Sequence, residues 1–274
     1  MELGTFQTLC LAVLALAYAI FIWSGDSKPR RLLEVITLVL AAWLAEDTCV
    51  AAYRFYYYAD DWWLKIGRVP ILIPLIWPMV ILSARSLVSA LWPQLEGFRH
   101  ALAVGCIVSF DASLIEIVSV EAGYWSWFEG GYVGVPLMGI VGWGLFAAIA
   151  SWWMESDRRL GWTPLVAVLI THAALVACWW GLLRWVLRED LGSWALLGFG
   201  LLALSFCVAV LRVRPQRRMS RADAITRLLA TSLFVGLLVS LDGPNVTLLW
   251  LHLGLTALPY LCALPDLRRA SGDA

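Results

Sequence analysis

The sequence predicts an all-α integral membrane protein, a polytopic bundle of about eight or nine transmembrane helices. Apolar residues make up 61% of its 274 residues and charged residues only 15%, whereas soluble domains average roughly 45–50% and about 25%. A helix needs roughly 20 residues to cross a bilayer. Apolar runs of about that length recur along the whole chain. The loops between them are too short for a soluble domain, so we expect residues 1–274 to form a single transmembrane domain.

The predicted spans follow one another without a fixed period, which argues against an internal duplication. We place them at 5–24, 32–57, 69–92, 101–123, 134–154, 162–187, 191–211, 225–241 and 246–264. The first residues carry no basic group of the kind that opens a signal peptide, so we expect the first helix to be retained.

Basic residues predict the orientation of the bundle. Fourteen of the 20 Lys and Arg residues fall in loops on one side, with the loop Arg212–Arg227 contributing most, and four fall on the other side. Cytoplasmic loops carry the excess of positive charge. We therefore predict an external N-terminus, a cytoplasmic C-terminus and a multi-pass location in the cell membrane.

Composition and motifs exclude several function classes. The formal net charge is +0, which gives no electrostatic support for a nucleic-acid partner. No phosphate-binding loop, dinucleotide fingerprint, serine-hydrolase elbow or zinc-protease motif is present. The histidines, which are His100, His172 and His252, are too few for a di-iron desaturase, and each is more typical of a hydrogen-bonded core histidine. We predict no cofactor and no metal.

Span four carries the strongest functional signal. Ser109, Ser113 and Glu116 are spaced four and three apart, so they form one polar stripe. Ionisable groups are costly in hydrocarbon and mark functional sites. Asp111 and Glu121 each lie five positions from Glu116, so they point away from it and need other helices to complete a site.

Span two supplies a second acid. Glu46, Tyr53 and Tyr57 are spaced seven and four apart, which predicts a common helix face. Asp47 and Arg54 are also seven apart and are predicted to pair near the external end of the span. Span three contains prolines at four-residue spacing, which a membrane tolerates only beside protein or a cavity. We therefore expect span three to line a cavity.

The segment between spans four and five is rich in aromatic residues and glycine. Its sequence Gly123–Trp127 is followed by Gly131–Pro136 and, inside span five, by Gly142 and Trp143. The aromatic residues are typical of an interfacial belt. The glycines predict a tight return into the membrane, and Gly139, Gly142 and Gly144 predict close helix packing.

These motifs resemble the carotenoid biosynthesis membrane proteins that include the carotenoid 1,2-hydratase and bisanhydrobacterioruberin hydratase group. The resemblance covers roughly residues 40–143 and includes Glu46, the segment Ile66–Pro70 and the segment Ile73–Trp77. Ile117 stands where the family has proline, and Gly139 stands where it has asparagine. The resemblance implies a hydrophobic carotenoid or isoprenoid substrate taken from the lipid bilayer.

The residues suggest proton-initiated chemistry on an alkene. Burial in a low dielectric favours the neutral form of a carboxylic acid, which can then donate a proton, and aromatic faces stabilise the resulting cation. We expect Glu116 to donate the proton, with Glu46 and Asp111 as partners that hold the proton or orient water. The residues expected to contact the substrate are aromatic: Tyr53, Tyr57, Trp77, Tyr124, Trp125, Trp127 and Tyr132.

Three functions remain open at this level. The first is a hydratase, a hydro-lyase that adds water to the cation. The second is a terpene or carotenoid cyclase, an isomerase-type enzyme in which an internal double bond adds instead. The third is a non-catalytic transporter or lipid-binding protein, in which acids at several depths form an ion path. The oligomeric state is not predicted.

Overall fold

The computed structural model of the protein describes residues 1–155, 157–183, 192–213 and 221–263. This part of the chain contains nine α-helices. They are α1 (Leu3–Trp23), α2 (Lys28–Thr48), α3 (Leu72–Leu91), α4 (Gly97–Glu121), α5 (Leu137–Met154), α6 (Thr163–Cys178), α7 (Gly192–Val213), α8 (Arg221–Val239) and α9 (Val246–Ala263).

Length and hydropathy make seven helical segments of the described residues long and apolar enough to cross a membrane. They are Leu3–Trp23, Lys28–Tyr53, Leu72–Leu91, Gly97–Glu121, Leu137–Met154, Leu160–Gly181 and Ala222–Val239. The predicted helical membrane bundle is therefore confirmed, and the protein is a multi-pass membrane protein.

The N-terminus lies at the same end of the bundle as the aromatic loop after α4. The terminal amine of Met1 donates to Ser240 Oγ at 2.6 Å, and the Tyr124 hydroxyl donates to the Met1 carbonyl at 3.1 Å. Which membrane side this end faces stays a prediction. Several basic residues behind that prediction lie outside the described residues, namely Arg184, Arg188, Arg214, Arg217, Arg218, Arg268 and Arg269.

Helices α4 and α5 pack closely because glycines face each other. A Cβ added to Gly105 would lie 2.6 Å from the Gly144 carbonyl oxygen, so any larger residue would force the helices apart. Gly144 thus has the predicted packing role. Gly139 instead faces the Trp127 ring, and Gly142 faces Leu175 of α6.

Four short strands interrupt the otherwise helical fold. Strands β1 (Tyr56–Tyr58) and β4 (Trp125–Trp127) form one antiparallel pair, and β2 (Lys65–Ile66) and β3 (Val69–Pro70) form another. The first pair joins the loop after α2 to the loop after α4. It closes one end of the bundle with a layer of aromatic side chains.

The end of span two differs from the prediction. The α-helix stops at Thr48, a π-helical turn follows at Cys49–Tyr53, and Arg54 adopts a left-handed conformation with φ of 51°. Glu46, Tyr53 and Tyr57 therefore do not share a helix face. The predicted ion pair between Asp47 and Arg54 is also wrong.

Asp47 is used in the turn between β2 and β3 instead. It accepts the backbone N–H of Arg68 at 2.8 Å and pairs with the guanidinium of the same residue at 3.7 Å.

Helix α3 has the cavity-lining position that its prolines predicted. Pro74 lies in the first turn, where its missing N–H would have no helical partner anyway, and Pro78 lies inside the helix. Ile76 and Trp77 face one cavity, while Met79 and Val80 face a second.

Candidate active site

An aromatic chamber of about 80 Å³ lies under the β1–β4 pair, between α2, α3, α4, α5 and α6. We call it the acid chamber, because its wall contains both Glu46 and Glu116. Both side chains are buried, with exposed fractions of 8% and 4%. The volume has room for several water molecules or for one end of a hydrocarbon chain.

Glu116 is held entirely by tryptophan. Its Oε2 accepts the indole N–H groups of Trp125 at 2.8 Å and Trp127 at 3.1 Å, and its Oε1 accepts that of Trp143 at 2.7 Å. Indole nitrogen donates but cannot accept. When Glu116 is protonated, none of these three partners can accept its O–H.

Glu46 is held by a different set of donors. Its Oε2 accepts the Tyr56 hydroxyl and, at 2.9 Å, the Tyr58 hydroxyl, while its Oε1 accepts the Trp77 indole N–H at 3.0 Å. A phenol can both donate and accept. The tyrosines can therefore reverse their hydrogen bonds when Glu46 takes up a proton, as the indoles around Glu116 cannot.

The strand pairing explains how these donors meet. Tyr56 pairs with Trp127 and Tyr58 pairs with Trp125 across the antiparallel ladder. Alternate residues of a strand point to the same face, so all four side chains face the chamber. Tyr57 points the other way, is half exposed and packs its ring on Phe128.

Burial also determines the protonation state of Tyr56 and Tyr58. It raises the pKa of both Tyr56 and Tyr58 well above the ordinary range, and the neighbouring Glu46 charge raises the pKa further. Both phenols therefore remain neutral hydrogen-bond donors at physiological pH.

Asp111 does not belong to this chamber. It forms a two-pronged ion pair with Arg227 of α8, with Arg227 Nη2 2.8 Å from Oδ2 and 3.0 Å from Oδ1. Five residues at 100° each turn its side chain far from that of Glu116 on α4. Its predicted partnership with Glu116 is therefore corrected, and so is the assignment of Arg227 to a basic loop.

The predicted substrate-contacting residues divide into two groups. Trp77, Trp125 and Trp127 line the acid chamber, whereas Tyr53, Tyr57, Tyr124 and Tyr132 are not part of its wall. Tyr124 is buried against Phe6, and Tyr132 packs on His252. Tyr53 lies on the π-helical turn with its ring beside His172.

Among the residues of the chamber wall that sequence reasoning missed as site residues are Tyr56, Tyr58, Thr171 and His172. The alternation in Tyr56–Tyr58 would have indicated the first two if the segment had been interpreted as a strand. Trp143 was noticed only as part of a motif. Its role as a donor to Glu116 depends on the packing of α5 against α4.

His172 and Thr171 of α6 bring further polar atoms to the chamber. Both residues are buried, and neither ring nitrogen of His172 nor Thr171 Oγ1 has a hydrogen-bond partner among the described residues. The described residues thus supply no partner for the hydrogen bond predicted at His172. For His252 the prediction is right, since its Nε2 lies 2.9 Å from Ser113 Oγ.

The described residues hold no cluster of three or more His, Cys, Asp or Glu side chains that could bind a metal ion. The wall of the chamber carries carboxyl, phenol, indole, imidazole, hydroxyl and thiol groups.

The family described as carotenoid biosynthesis protein matches residues 4–202. The chain belongs to the carotenoid biosynthesis protein family. The match extends well beyond the predicted resemblance at about 40–143, and it contains every residue of the acid chamber except Phe234. No protein with a curated description and no solved structure matches the chain.

Membership of the carotenoid biosynthesis family assigns the protein a role in carotenoid biosynthesis. Together with the seven apolar helices, it is consistent with an isoprenoid substrate that enters from the bilayer. The chamber, with its two buried acids and aromatic walls, is the candidate site for that role.

Proposed function

We propose that the protein is a membrane hydratase that protonates a carbon–carbon double bond at one end of an isoprenoid chain and adds water to the resulting cation. One observation carries the proposal. Two buried carboxyl groups, each held by three hydrogen-bond donors, share one aromatic chamber in the described residues.

Glu116 is the proton donor in this proposal. Its three indole partners only donate, so the O–H of the protonated acid has none of them to bind and is free to point at a substrate in the chamber. After the transfer, the same three N–H groups stabilise the carboxylate. Because these hydrogen bonds favour the charged form, they work against the cost of leaving a charge in the buried chamber.

Glu46 holds the second proton-binding position. Its tyrosine partners can accept as well as donate, so a proton on Glu46 stays within the network with Tyr56 and Tyr58. Two like charges in one low-dielectric chamber disfavour each other, and Glu46 and Glu116 both line this chamber. We infer that the pair shares one proton and that Glu46 helps to reload Glu116.

Aromatic faces stabilise the cation between the two steps. The rings of Trp77, Trp127, Trp143 and Phe146 line the chamber, and a desolvated ring face is worth on the order of 2 kcal/mol to a cation. The carboxylate left on Glu116 adds an opposite charge at short range.

His172 and Thr171 favour water addition over cyclisation. Their buried polar atoms have no protein partner in the described part of the chain, and buried polar atoms of this kind are ordinarily satisfied by water. A water held there would add its oxygen to the cation. Its surplus proton would pass to His172 or to the carboxylate pair.

The atoms of the reaction balance. The alkene π electrons take the Glu116 proton to form a C–H bond, the water oxygen forms a C–O bond, and the water releases one proton. The product is a tertiary alcohol heavier than the substrate by one water. A cyclase using the same acid would leave the mass unchanged.

The direct test is expression of the full chain in lycopene-producing cells, with mass analysis of the pigments. Hydration predicts products heavier by one or two waters, according to whether one or both ends react. In deuterated water each new hydroxyl should be accompanied by one carbon-bound deuterium. Cyclic products of unchanged mass, or no new pigment with lycopene and its acyclic precursors supplied, would reject the hydratase proposal.

A further inference from the structure

A second cavity lies deeper in the bundle than the acid chamber. Its volume is about 130 Å³, and it is lined by α1, α3, α4 and α8. Its lining is mostly apolar, with side chains such as Val13, Met79 and Leu114. The chemistry proposed above makes no use of it.

The two cavities meet at a common wall. Ile76 of α3, Ile115 of α4 and Phe234 of α8 line both of them. These three side chains therefore border both spaces, and a change of their rotamers is the simplest way for one space to open into the other.

The positions along each helix show how the cavities are stacked. On α1 the acid chamber is lined by Phe6 and the second cavity by Cys10 through Ala17, and on α3 the lining continues from Ile73 to Ser83. At a rise of 1.5 Å per residue these stretches span roughly 15 Å along the helix axes. The two cavities therefore follow one another along the bundle axis.

Among the described residues, the lining of the second cavity contains one ion pair, between Asp111 and Arg227. Arg227 is bound by Asp111 at 2.8 Å and donates to Ser83 Oγ at 3.1 Å. Its charge is thus already compensated. The cavity presents an apolar wall with a neutralised polar boundary, which suits a hydrocarbon chain better than an anionic head group.

We propose that the second cavity binds the segment of an isoprenoid chain that directly follows the end held in the acid chamber. This inference rests on the proposed function, because that function assigns the reacting end to the chamber. The chamber alone has room for only one end of such a chain. The second cavity would then set the preference for long over short substrates.

The inference is tested by binding, with turnover removed by Glu116→Gln. Retention of radiolabelled lycopene and of a short acyclic isoprenoid with the same end group is measured on the immobilised full chain in detergent. Val13→Trp fills the cavity from α1, and Ala230→Phe fills it from α8. Leu16→Trp is the matched control, because Leu16 lies on α1 but is 49% exposed on the outer face.

We expect each filling variant to lower the ratio of lycopene to short-isoprenoid affinity by at least about tenfold, while Leu16→Trp keeps the ratio of the parent. Equal losses of both ligands, an unchanged ratio in both filling variants, or a parent that retains no lycopene would overturn the inference. Using variants on two different helices guards against misfolding of one of them.

Hydration is scored separately with Glu116 intact, so the two proposals can fail independently. Chain-length-dependent binding without water addition would refute the hydratase proposal and keep this inference. Water addition with an unchanged affinity ratio would refute this inference and keep the hydratase proposal.

Discussion

Trp77 and Trp143 stack on each other while each donates its indole N–H to a different acid. Their ring centroids are 4.3 Å apart with an interplanar angle of 31°. Trp77 donates to Glu46 at 3.0 Å and Trp143 donates to Glu116 at 2.7 Å. The stacked pair therefore couples the positions of the two carboxyl groups, so the site behaves as one unit.

Replacing Glu116 by glutamine keeps the shape of the side chain and removes its acidic proton. We expect hydration to fall by about 10³-fold, within the range for loss of a positioned general acid. The measurement is the yield of hydrated pigment per amount of folded protein. Glu121→Gln is the control, because Glu121 ends the same helix and accepts from Asn245 outside the chamber. Full activity of Glu116→Gln would exclude Glu116 as the donor.

Replacing Trp143 by phenylalanine removes one hydrogen bond to Glu116 and keeps a ring against Trp77. A hydrogen bond to a charged group contributes about 1.5–3 kcal/mol, so we expect kcat to fall by about tenfold to a hundredfold. Initial rates of hydration in detergent measure it. Trp152→Phe changes a partly exposed indole on the same helix and should keep the parental rate. Equal rates for the two variants would contradict the role of Trp143.

Gly139→Ala tests whether the close packing of Gly139 against the Trp127 ring is needed for activity. An added Cβ would lie 2.6 Å from Trp127 Cζ2, so the ring must move and weaken its hydrogen bond to Glu116. We expect a stability loss of about 1–3 kcal/mol, typical of overpacking, together with a lower hydration rate. Thermal unfolding and initial rates measure the two effects. Gly236→Ala is the control, because its Cβ would approach only Met1 Cε, at 4.0 Å. A parental rate for Gly139→Ala would show that the Trp127 position is not critical.

The Asp111–Arg227 pair is expected to matter for stability through its burial. Its side chains are only 17% and 15% exposed. Removing one partner leaves the other charge uncompensated, so we expect Asp111→Ala to cost about 3 kcal/mol. The double variant Asp111→Leu with Arg227→Leu should recover most of that loss. The free energy of unfolding in detergent is measured for the parent, for each single variant and for the double variant. If the losses of the two single variants add up in the double variant, the two charges do not stabilise each other.

Sequence reasoning found the two acids but not the way they are held. Glu46 and Glu116 stood out because a carboxyl in an apolar run requires a compensating environment. Asp111 met the same criterion, yet its partner Arg227 comes from α8, more than a hundred residues later in the chain. No spacing rule within one helix could have paired them. Tyr56 and Tyr58 were missed because the chain leaves the helix in a π-helical turn that hydropathy does not reveal.

The amino-acid sequence by itself determined that the chain is a helical membrane bundle, because apolar runs of this length can satisfy their backbone only as helices in lipid. It also determined which acids are unusual and which family the motifs resemble. Only the tertiary structure decided that β1 and β4 bring tyrosine and tryptophan donors onto Glu46 and Glu116, and that Asp111 faces a second cavity. These arrangements depend on contacts between segments that are distant in the sequence. The periodicity of apolar and polar residues within one segment does not predict such contacts.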